Sequence, residues 1–305
     1  MLKAADYARL LLLAAIWGAS FLFVRIAAPA IGGIPTAFFR VLLGALGLVG
    51  ILLLIGVQPR FKGHFRTLLV LGAVNSGIPL LMYALAAKVL PAGYLAIFNA
   101  TTPLMGVVIG SAFFGERPDM MKILGVPVGI FGVVLLAAAG PMTFTAATTL
   151  GVLACLVATS CYAIAGFLTK RWIAERGGLD AKLVAFGSQI GATLFLLPFL
   201  GVAAVGAPDI LVTIPHTPML LFALGMLGLV CTAWAYILYF RLIADIGPVR
   251  SLAVTFLIPP FGVLWGVLFL HERLSWAHAL GGALVGVALI LVLVPKSRKV
   301  VLKGA

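Results

Sequence analysis

A set of polar and aromatic residues interrupts the long apolar stretches of this sequence, and these residues are the candidates for chemistry. Hydroxyls, amides and aromatic rings together bind an amphipathic solute such as an amino acid, without making or breaking a covalent bond. The same groups could instead hydrogen-bond between neighbouring helices, at about 0.6 kcal/mol per bond. Taken as a set, they favour the lining of a cavity. The candidate substrate-binding residues are Trp17, Asn75, Ser76, Tyr83, Asn99, Tyr162, Thr232, Tyr239 and Thr255.

Residue patterns typical of covalent catalysis are absent from the sequence. All eight Asp and Glu residues lie at the ends of apolar stretches or between them, and the four His residues are too scattered for a metal site. GxSxG, HExxH and nucleotide-binding loops do not occur. We therefore predict no catalytic residues, no metal site and no cofactor. A membrane-embedded enzyme and a non-transporting membrane scaffold remain the alternatives to a transporter.

Two prolines occupy related positions in the sequence. Pro103 and Pro259 each lie about ten residues into an apolar stretch, which is roughly 15 Å along a helix and therefore near mid-membrane. A proline removes one backbone hydrogen bond and kinks its helix. The kink could be a conformational hinge or a packing feature, and the recurrence of the pair favours the hinge.

Arg40 is the basic residue that falls clearly inside an apolar stretch. An unpaired arginine there costs roughly 2.5–3.5 kcal/mol on insertion scales, so we expect it to have a partner. Glu272 lies towards the same predicted side of the membrane and is the candidate partner. The alternative is that Arg40 snorkels to the membrane surface and has no functional role.

The elements that position these residues follow from composition. Hydrophobic residues make up 63% of the 305-residue chain and charged residues 10%, whereas soluble domains carry about 25% charged residues. This composition indicates a polytopic membrane protein and excludes soluble enzymes, nucleic-acid-binding modules and secreted disulfide scaffolds. The net charge of +13 does not indicate nucleic acid, because the basic residues stand singly between apolar runs, as in loops that face anionic lipid.

The apolar stretches predict an all-α integral membrane protein with ten transmembrane helices. A helix needs about 20 apolar residues to cross a bilayer, and Gly- and Pro-rich turns separate the candidates. The predicted spans are residues 7–29, 33–57, 67–89, 92–114, 120–139, 149–172, 180–205, 218–244, 247–270 and 276–294.

The distribution of basic residues predicts the orientation of these spans. Of the 21 Lys and Arg residues, 17 fall on the side that carries the N terminus and three on the opposite side. Cytoplasmic loops carry the excess of Lys and Arg in membrane proteins. Both termini are therefore predicted to be cytoplasmic.

The chain also aligns with itself. Residues 95–104 match residues 251–260 at an offset of 156, and Glu116 then matches Glu272 without a gap. Each half holds five predicted spans, so the second half enters the membrane from the opposite side, as in the inverted repeats of secondary transporters. We predict a first five-helix repeat at residues 1–140, a second, inverted repeat at 149–295, and a basic cytoplasmic tail at 296–305.

These motifs resemble a known family. The pairs Trp17-Gly18 and Phe39-Arg40, with the duplicated Pro and Glu-Arg ends of the fourth and ninth spans, are similar to the EamA branch of the drug/metabolite transporter superfamily. The resemblance covers essentially the whole chain, and among members it is nearest to the bacterial aromatic amino-acid exporters.

The resemblance implies a ten-helix permease of the bacterial inner membrane that exports amino acids or related small metabolites by alternating access. Its expected partners are a small-molecule substrate and membrane lipid, with no nucleic acid. Paired glycines on the fifth and tenth spans leave two states open, a monomer or a homodimer.

Overall fold

Every element in the described part of the chain is helical. The structure, a computed structural model, describes residues 4–116, 120–139, 145–206, 217–246, 254–272 and 275–293. The α-helices are α1 (Ala4–Ile31), α2 (Gly33–Leu54), α3 (Phe65–Gly72), α4 (Ile78–Ala86), α5 (Ala92–Asn99), α6 (Thr102–Phe113), α7 (Met120–Ala139), α8 (Ala146–Trp172), α9 (Ala181–Gly206), α10 (Pro218–Gly225), α11 (Ala235–Ile246), α12 (Val254–Leu270) and α13 (Trp276–Leu293). Two π-helical segments, Ala73–Gly77 and Met226–Trp234, join α3 to α4 and α10 to α11.

Seven helical stretches are long and apolar enough to cross a membrane. They are Ala4–Ile31, Gly33–Leu54, Phe65–Ala86, Ala92–Phe113, Ala146–Trp172, Ala181–Val205 and Pro218–Tyr239. The other three predicted spans correspond to shorter apolar stretches, Ile123–Gly132, Leu257–Leu270 and His278–Ala288. The all-helical membrane class is confirmed, and the count of ten spans in two repeats stays a prediction.

Large apolar side chains cover the outer surface of the bundle as well as its interior. Leu54, Phe113 and Val205 are 87%, 80% and 83% exposed. Exposed apolar side chains are stable where lipid rather than water surrounds them. Together with the seven apolar stretches, they identify a multi-pass membrane protein.

Close packing of α1 against α12 joins the N-terminal and C-terminal parts of the chain. A Cβ atom on Gly18 would lie 2.7 Å from the Cβ of Phe261 and 2.9 Å from the backbone nitrogen of Gly262, so the two helices approach where Gly18 has no side chain. Trp265 adds a hydrogen bond from its Nε1 to the Ala15 carbonyl of α1 at 3.0 Å. Gly18 therefore allows α1, which carries Trp17, to pack closely against α12 in the C-terminal half.

Glycines mark the other close approaches between the halves. A Cβ on Gly44 of α2 would lie 2.6 Å from Thr232 Cγ2, and one on Gly191 of α9 would lie 2.5 Å from the carbonyl oxygen of Leu69 in α3. Helices α7 and α13 pack along each other, and Gly132 faces Leu284 there. Small residues let helix backbones approach within a membrane, where dispersion forces rather than exclusion of water hold helices together.

Candidate functional site

The two π-helical segments place predicted polar residues at related points of the two halves. Ser76 lies in Ala73–Gly77 and Thr232 lies in Met226–Trp234; the first segment corresponds to residues 229–233 at the offset of 156. π-Helical turns frequently occur at functional sites. The hydroxyl of Thr232 donates to the carbonyl of Leu227, five residues earlier, at 2.9 Å. Both residues are buried, and Asn75 beside Ser76 is half-buried.

The predicted aromatic residues of α1 and α11 meet directly. The ring centroids of Trp17 and Tyr239 are 5.3 Å apart, and the ring planes are tilted by 50°. Both residues are half-buried although helices surround them. Each ring therefore keeps part of its surface accessible where α1 and α11 meet.

A second aromatic pair brings α4 and α8 together beside the first. Tyr83 and Tyr162 stack with ring centroids 6.4 Å apart, and the edge of Phe21 contacts Tyr83 at 5.5 Å. The Tyr83 hydroxyl donates to Oδ1 of Asn99 at 3.1 Å, at the C-terminal end of α5. Tyr83 therefore contacts two other predicted residues, Tyr162 of α8 and Asn99 of α5, and Phe21 is a neighbour that the sequence pattern did not reveal.

The polar end of the site is built around Gln189 of α9. Its Nε2 donates to Oγ of Ser76 at 2.9 Å and lies 3.5 Å from the Tyr236 hydroxyl. Gln189 is fully buried, and its Oε1 has no hydrogen-bond partner within the described part of the chain. The sequence reasoning missed both Gln189 and Tyr236. An isolated amide in an apolar span was the available signal for Gln189, whereas Tyr236 resembles any other span tyrosine.

Arg40 points into the bundle rather than towards the membrane surface. Its Nε donates to the Thr232 hydroxyl at 3.4 Å, and its charge lies within electrostatic range of the hydroxyls of Tyr162 and Tyr236. Arg40 is half-buried and forms no ion pair among the described residues. This geometry opposes the snorkelling interpretation, because the guanidinium contacts helices from the other half of the chain.

The predicted pairing of Arg40 with Glu272 is wrong. Both carboxylate oxygens of Glu272 accept backbone hydrogen bonds at the start of α5, from the N–H groups of Ala92 at 2.7 Å and Gly93 at 3.2 Å. A helix N-terminus offers unpaired N–H donors and a partial positive charge, and it is already positioned when Glu272 reaches it. Glu272 is therefore a cap that joins α12 to α5, and Arg40 belongs to a different cluster.

The two predicted hinge prolines lie in different surroundings. Pro103 does not kink a continuous helix: α5 ends at Asn99, and Pro103 occupies the first turn of α6. Pro259 lies inside the continuous helix α12. Their role as hinges stays a prediction. The side chain of Thr255, another predicted lining residue, lies outside the described residues.

A cluster of charges joins α1 to α11 near the N terminus. Arg9 contacts Asp6 at 3.4 Å and also pairs with Asp245, and Arg241 Nε lies 3.6 Å from the same Asp245 carboxylate. These side chains and Ala5 line a cavity of about 260 Å³. Arg9 precedes Trp17 by eight residues in α1, and Arg241 and Asp245 follow Tyr239 by two and six residues in α11, so the charge cluster lies next to the aromatic pair along both helices.

Comparison with known proteins agrees with this architecture. The model of the EamA-like transporter family matches residues 7–138 and 149–294. Protein PecM of Dickeya dadantii (strain 3937) is 27% identical over 277 residues, which span 91% of this chain and 88% of that protein. A probable terminal-alkyne amino-acid exporter of Streptantibioticus cattleyicolor is 29% identical over 202 residues, 66% of this chain and 64% of that protein.

A solved crystal structure shares the fold. It superposes with a TM-score of 0.61 and covers 95% of this chain and 99% of that chain, at 19% sequence identity. At this identity the likeness concerns the fold alone. The family and the names of the relatives point to a transporter rather than an enzyme.

Proposed function

Because the chain belongs to the EamA-like transporter family, we propose that it is a secondary transporter that exports small amphipathic metabolites from the cytoplasm. Amino acids are the proposed substrates, aromatic ones among them. The observation that carries the proposal is the meeting of half-buried rings from both halves, Trp17 with Tyr239, beside the polar residues around Gln189. An amphipathic solute needs both kinds of surface in one cavity.

The similarity to a relative named as an amino-acid exporter supports the substrate class. The two aromatic pairs supply an apolar surface for an apolar side chain, and Asn99, Ser76 and Thr232 supply hydrogen-bonding groups for a polar head group. An offset or edge contact with an aromatic ligand is worth about 0.5–1.5 kcal/mol beyond the buried area. The site therefore suits solutes that carry an apolar body on a compact polar group.

The proposed mechanism is alternating access by ten spans in two inverted halves, with both termini in the cytoplasm of a bacterial inner membrane. The site lies between helices of both halves, so a rocking motion of one half against the other exposes it to each side in turn. The ion pair between Arg9 and Asp245 would close the cytoplasmic end, and it must separate when that end opens.

The test is flux into proteoliposomes that contain the purified chain. A panel of the twenty amino acids and the common nucleosides is screened for saturable uptake and counterflow against protein-free liposomes. We expect saturable flux of at least one amino acid. Tyr239→Ala should raise the KM about two- to tenfold through the lost ring contact, whereas Tyr7→Ala removes the same group from an exposed position and should leave the KM unchanged. Absence of saturable flux for every solute would refute the proposed function.

The proposed topology has its own measurement. Reporter enzymes fused after Ala305 should be active only where the reporter works in the cytoplasm, because the basic residues concentrate on that side. A periplasm-active phosphatase at the same position should stay inactive. Activity of that phosphatase would contradict the proposed orientation.

A further inference from the structure

Two unsatisfied groups of opposite hydrogen-bonding character lie beside Tyr236. Arg40 uses its Nε for the Thr232 hydroxyl, and its two terminal nitrogens have no partner among the described residues. Gln189 uses its Nε2 for Ser76 and Tyr236, and its Oε1 has no partner there. One group therefore offers N–H donors with a full positive charge, and the other offers an acceptor.

Both deficits are costly inside a membrane protein. A buried acceptor without a partner costs about 1–3 kcal/mol, and the half-buried Arg40 has no counter-ion among the described residues. Gln189 is fully buried, so bulk water does not satisfy its Oε1. Glu272, which the sequence predicted as the partner of Arg40, instead accepts hydrogen bonds from the backbone at the start of α5. A ligand that carries both an anion and a hydrogen-bond donor would satisfy the two groups together.

We propose that Arg40 and Gln189 form a subsite for the zwitterionic head group of an α-amino acid. Arg40 receives the carboxylate, because a guanidinium matches its two oxygens with paired N–H donors. Gln189 Oε1 accepts a hydrogen bond from the α-ammonium group. The aromatic rings of Tyr162 and Tyr239 are the neighbouring surface, so the amino-acid side chain points towards them.

This inference rests on the proposed function and sharpens its substrate class. A solute without the carboxylate leaves Arg40 unpaired, and a solute without the ammonium leaves Gln189 Oε1 unpaired. Hydrogen bonds to charged groups contribute about 1.5–3 kcal/mol, which is on the order of a ten- to hundredfold change in affinity. Amines and simple carboxylic acids should therefore bind at least about tenfold more weakly than the amino acid.

The experiment measures displacement of labelled L-tryptophan from the purified full-length chain in lipid nanodiscs. The competitors are L-tryptophan, tryptamine, which lacks the carboxylate, and indole-3-propionate, which lacks the amine. If the flux panel selects another amino acid, its own amine and acid analogues replace these. The variants are Arg40→Gln and Gln189→Leu, with the exposed residues Lys88→Gln and Gln58→Leu as matched controls.

The expected result is a crossed pattern. Arg40→Gln removes the preference for tryptophan over tryptamine and keeps the preference over indole-3-propionate, and Gln189→Leu does the reverse. Arg40→Lys keeps the charge without the paired donors and should show an intermediate preference for tryptophan over tryptamine. This variant also provides a test of the site if Arg40→Gln does not fold. Both control variants should keep both preferences.

Two results would overturn the subsite. One is a tenfold preference over tryptamine that survives in Arg40→Gln; the other is an equal loss of both preferences in both variants, which indicates general damage. If either occurs while the wild-type chain still transports amino acids, the proposed function stands and the subsite fails. If the wild-type chain transports nucleosides but no amino acid, the subsite fails and the transport function stands; if it transports no solute at all, both fail.

Discussion

The fourth predicted span of the first half and the ninth of the second are related by sequence, yet they are built differently. The fourth is two helices, α5 and α6, which are separated at residues 100 and 101, whereas the ninth is the single helix α12. Both contain a proline at the same repeat position, Pro103 and Pro259. The proline alone therefore does not decide whether the span is interrupted.

Two threonine hydroxyls account for the difference. Pro103 lacks the N–H that would pair with the Asn99 carbonyl, and the hydroxyl of Thr102 donates to that carbonyl at 2.7 Å instead. The hydroxyl of Thr101 donates to the Phe98 carbonyl at 2.7 Å. The corresponding residues in α12 are Leu257 and Ile258, which have no hydroxyl. An interrupted helix is tolerated in a membrane where side chains satisfy the freed carbonyls.

The segments that follow these spans show a second difference. The backbone N–H groups of Glu116 and Glu272 donate to the carbonyls of Gly110 and Gly266 at 3.0 and 3.1 Å, so the turns are alike. The Glu272 carboxylate caps α5, whereas Glu116 is exposed. The residue before each glutamate has a positive φ, +69° at Gly115 and +53° at His271. In the second half, His271 therefore adopts a left-handed backbone conformation although it is not glycine, directly before the glutamate that caps α5.

The largest expected effect is a difference in stability between variants of Glu272 and Glu116. Glu272→Ala removes the acceptor of two helix-start N–H groups and should lower the free energy of unfolding by about 2 kcal/mol. Glu116→Ala should change it by less than about 0.5 kcal/mol, as for most exposed substitutions. Denaturant unfolding in detergent micelles measures both variants. Equal losses in the two variants would show that the cap does not distinguish the halves.

The prolines should differ in their effect on transport. Pro103→Ala restores an N–H for the Asn99 carbonyl and favours a continuous helix, so transport should slow by about tenfold. Solute binding at equilibrium should change by less than about tenfold, or 1.4 kcal/mol. Pro259→Ala should slow transport less, because α12 is already continuous. Flux and binding are measured on the same purified variants, and lost binding in a folded variant would exclude the hinge role.

The next effect concerns the threonine beside Pro103. Thr102→Val leaves the Asn99 carbonyl without its donor and should lower the free energy of unfolding by about 1 kcal/mol. Thr169→Val is the matched control, because the Thr169 hydroxyl also donates at 2.7 Å, to the Ala165 carbonyl inside the continuous helix α8. Thermal unfolding should shift for the first variant only. Equal shifts would mean that the hydroxyl does not compensate for the proline.

The smallest expected effect tests the backbone before Glu272. His271→Gly should raise the free energy of unfolding by about 0.5 kcal/mol, because relief of left-handed strain exceeds the added chain entropy. Gly115→Ala should lower it, since the same strain is introduced in the first half. The two variants are compared by denaturant unfolding, and a loss of stability in His271→Gly would show that the imidazole contributes more than the strain costs.

Repeat alignment could predict much of the site from sequence, because polar groups inside a membrane must find partners and recur where two halves share a fold. Trp17, Tyr83, Asn99 and Tyr239 were each predicted as lining residues, and the structure places Trp17 against Tyr239 and Tyr83 against Asn99. Their role in binding a substrate stays a prediction. Gln189 has no polar repeat partner, so the alignment gave it no weight. The helical membrane class follows from composition, whereas the family was accessible only through the resemblance of the motifs to a known family.

The partners of the charged residues could not be predicted from the sequence, because they depend on three-dimensional geometry that a sequence pattern does not contain. Arg40 and Glu272 are opposite charges on one predicted side, which made them a natural pair. The start of α5 offers two N–H donors that are already fixed in place, and it binds the carboxylate instead. The interruption of the fourth span was also hidden, because a threonine beside a proline matters only when its hydroxyl faces the freed carbonyl.

The cap of α5 by Glu272 also constrains how the protein is made. Ala92 and Glu272 are 180 residues apart, so at 5–20 residues per second about 10–40 s of synthesis separate them. The Ala92 and Gly93 N–H groups therefore have to use other acceptors, such as water or phospholipid head groups, until Glu272 has been synthesised.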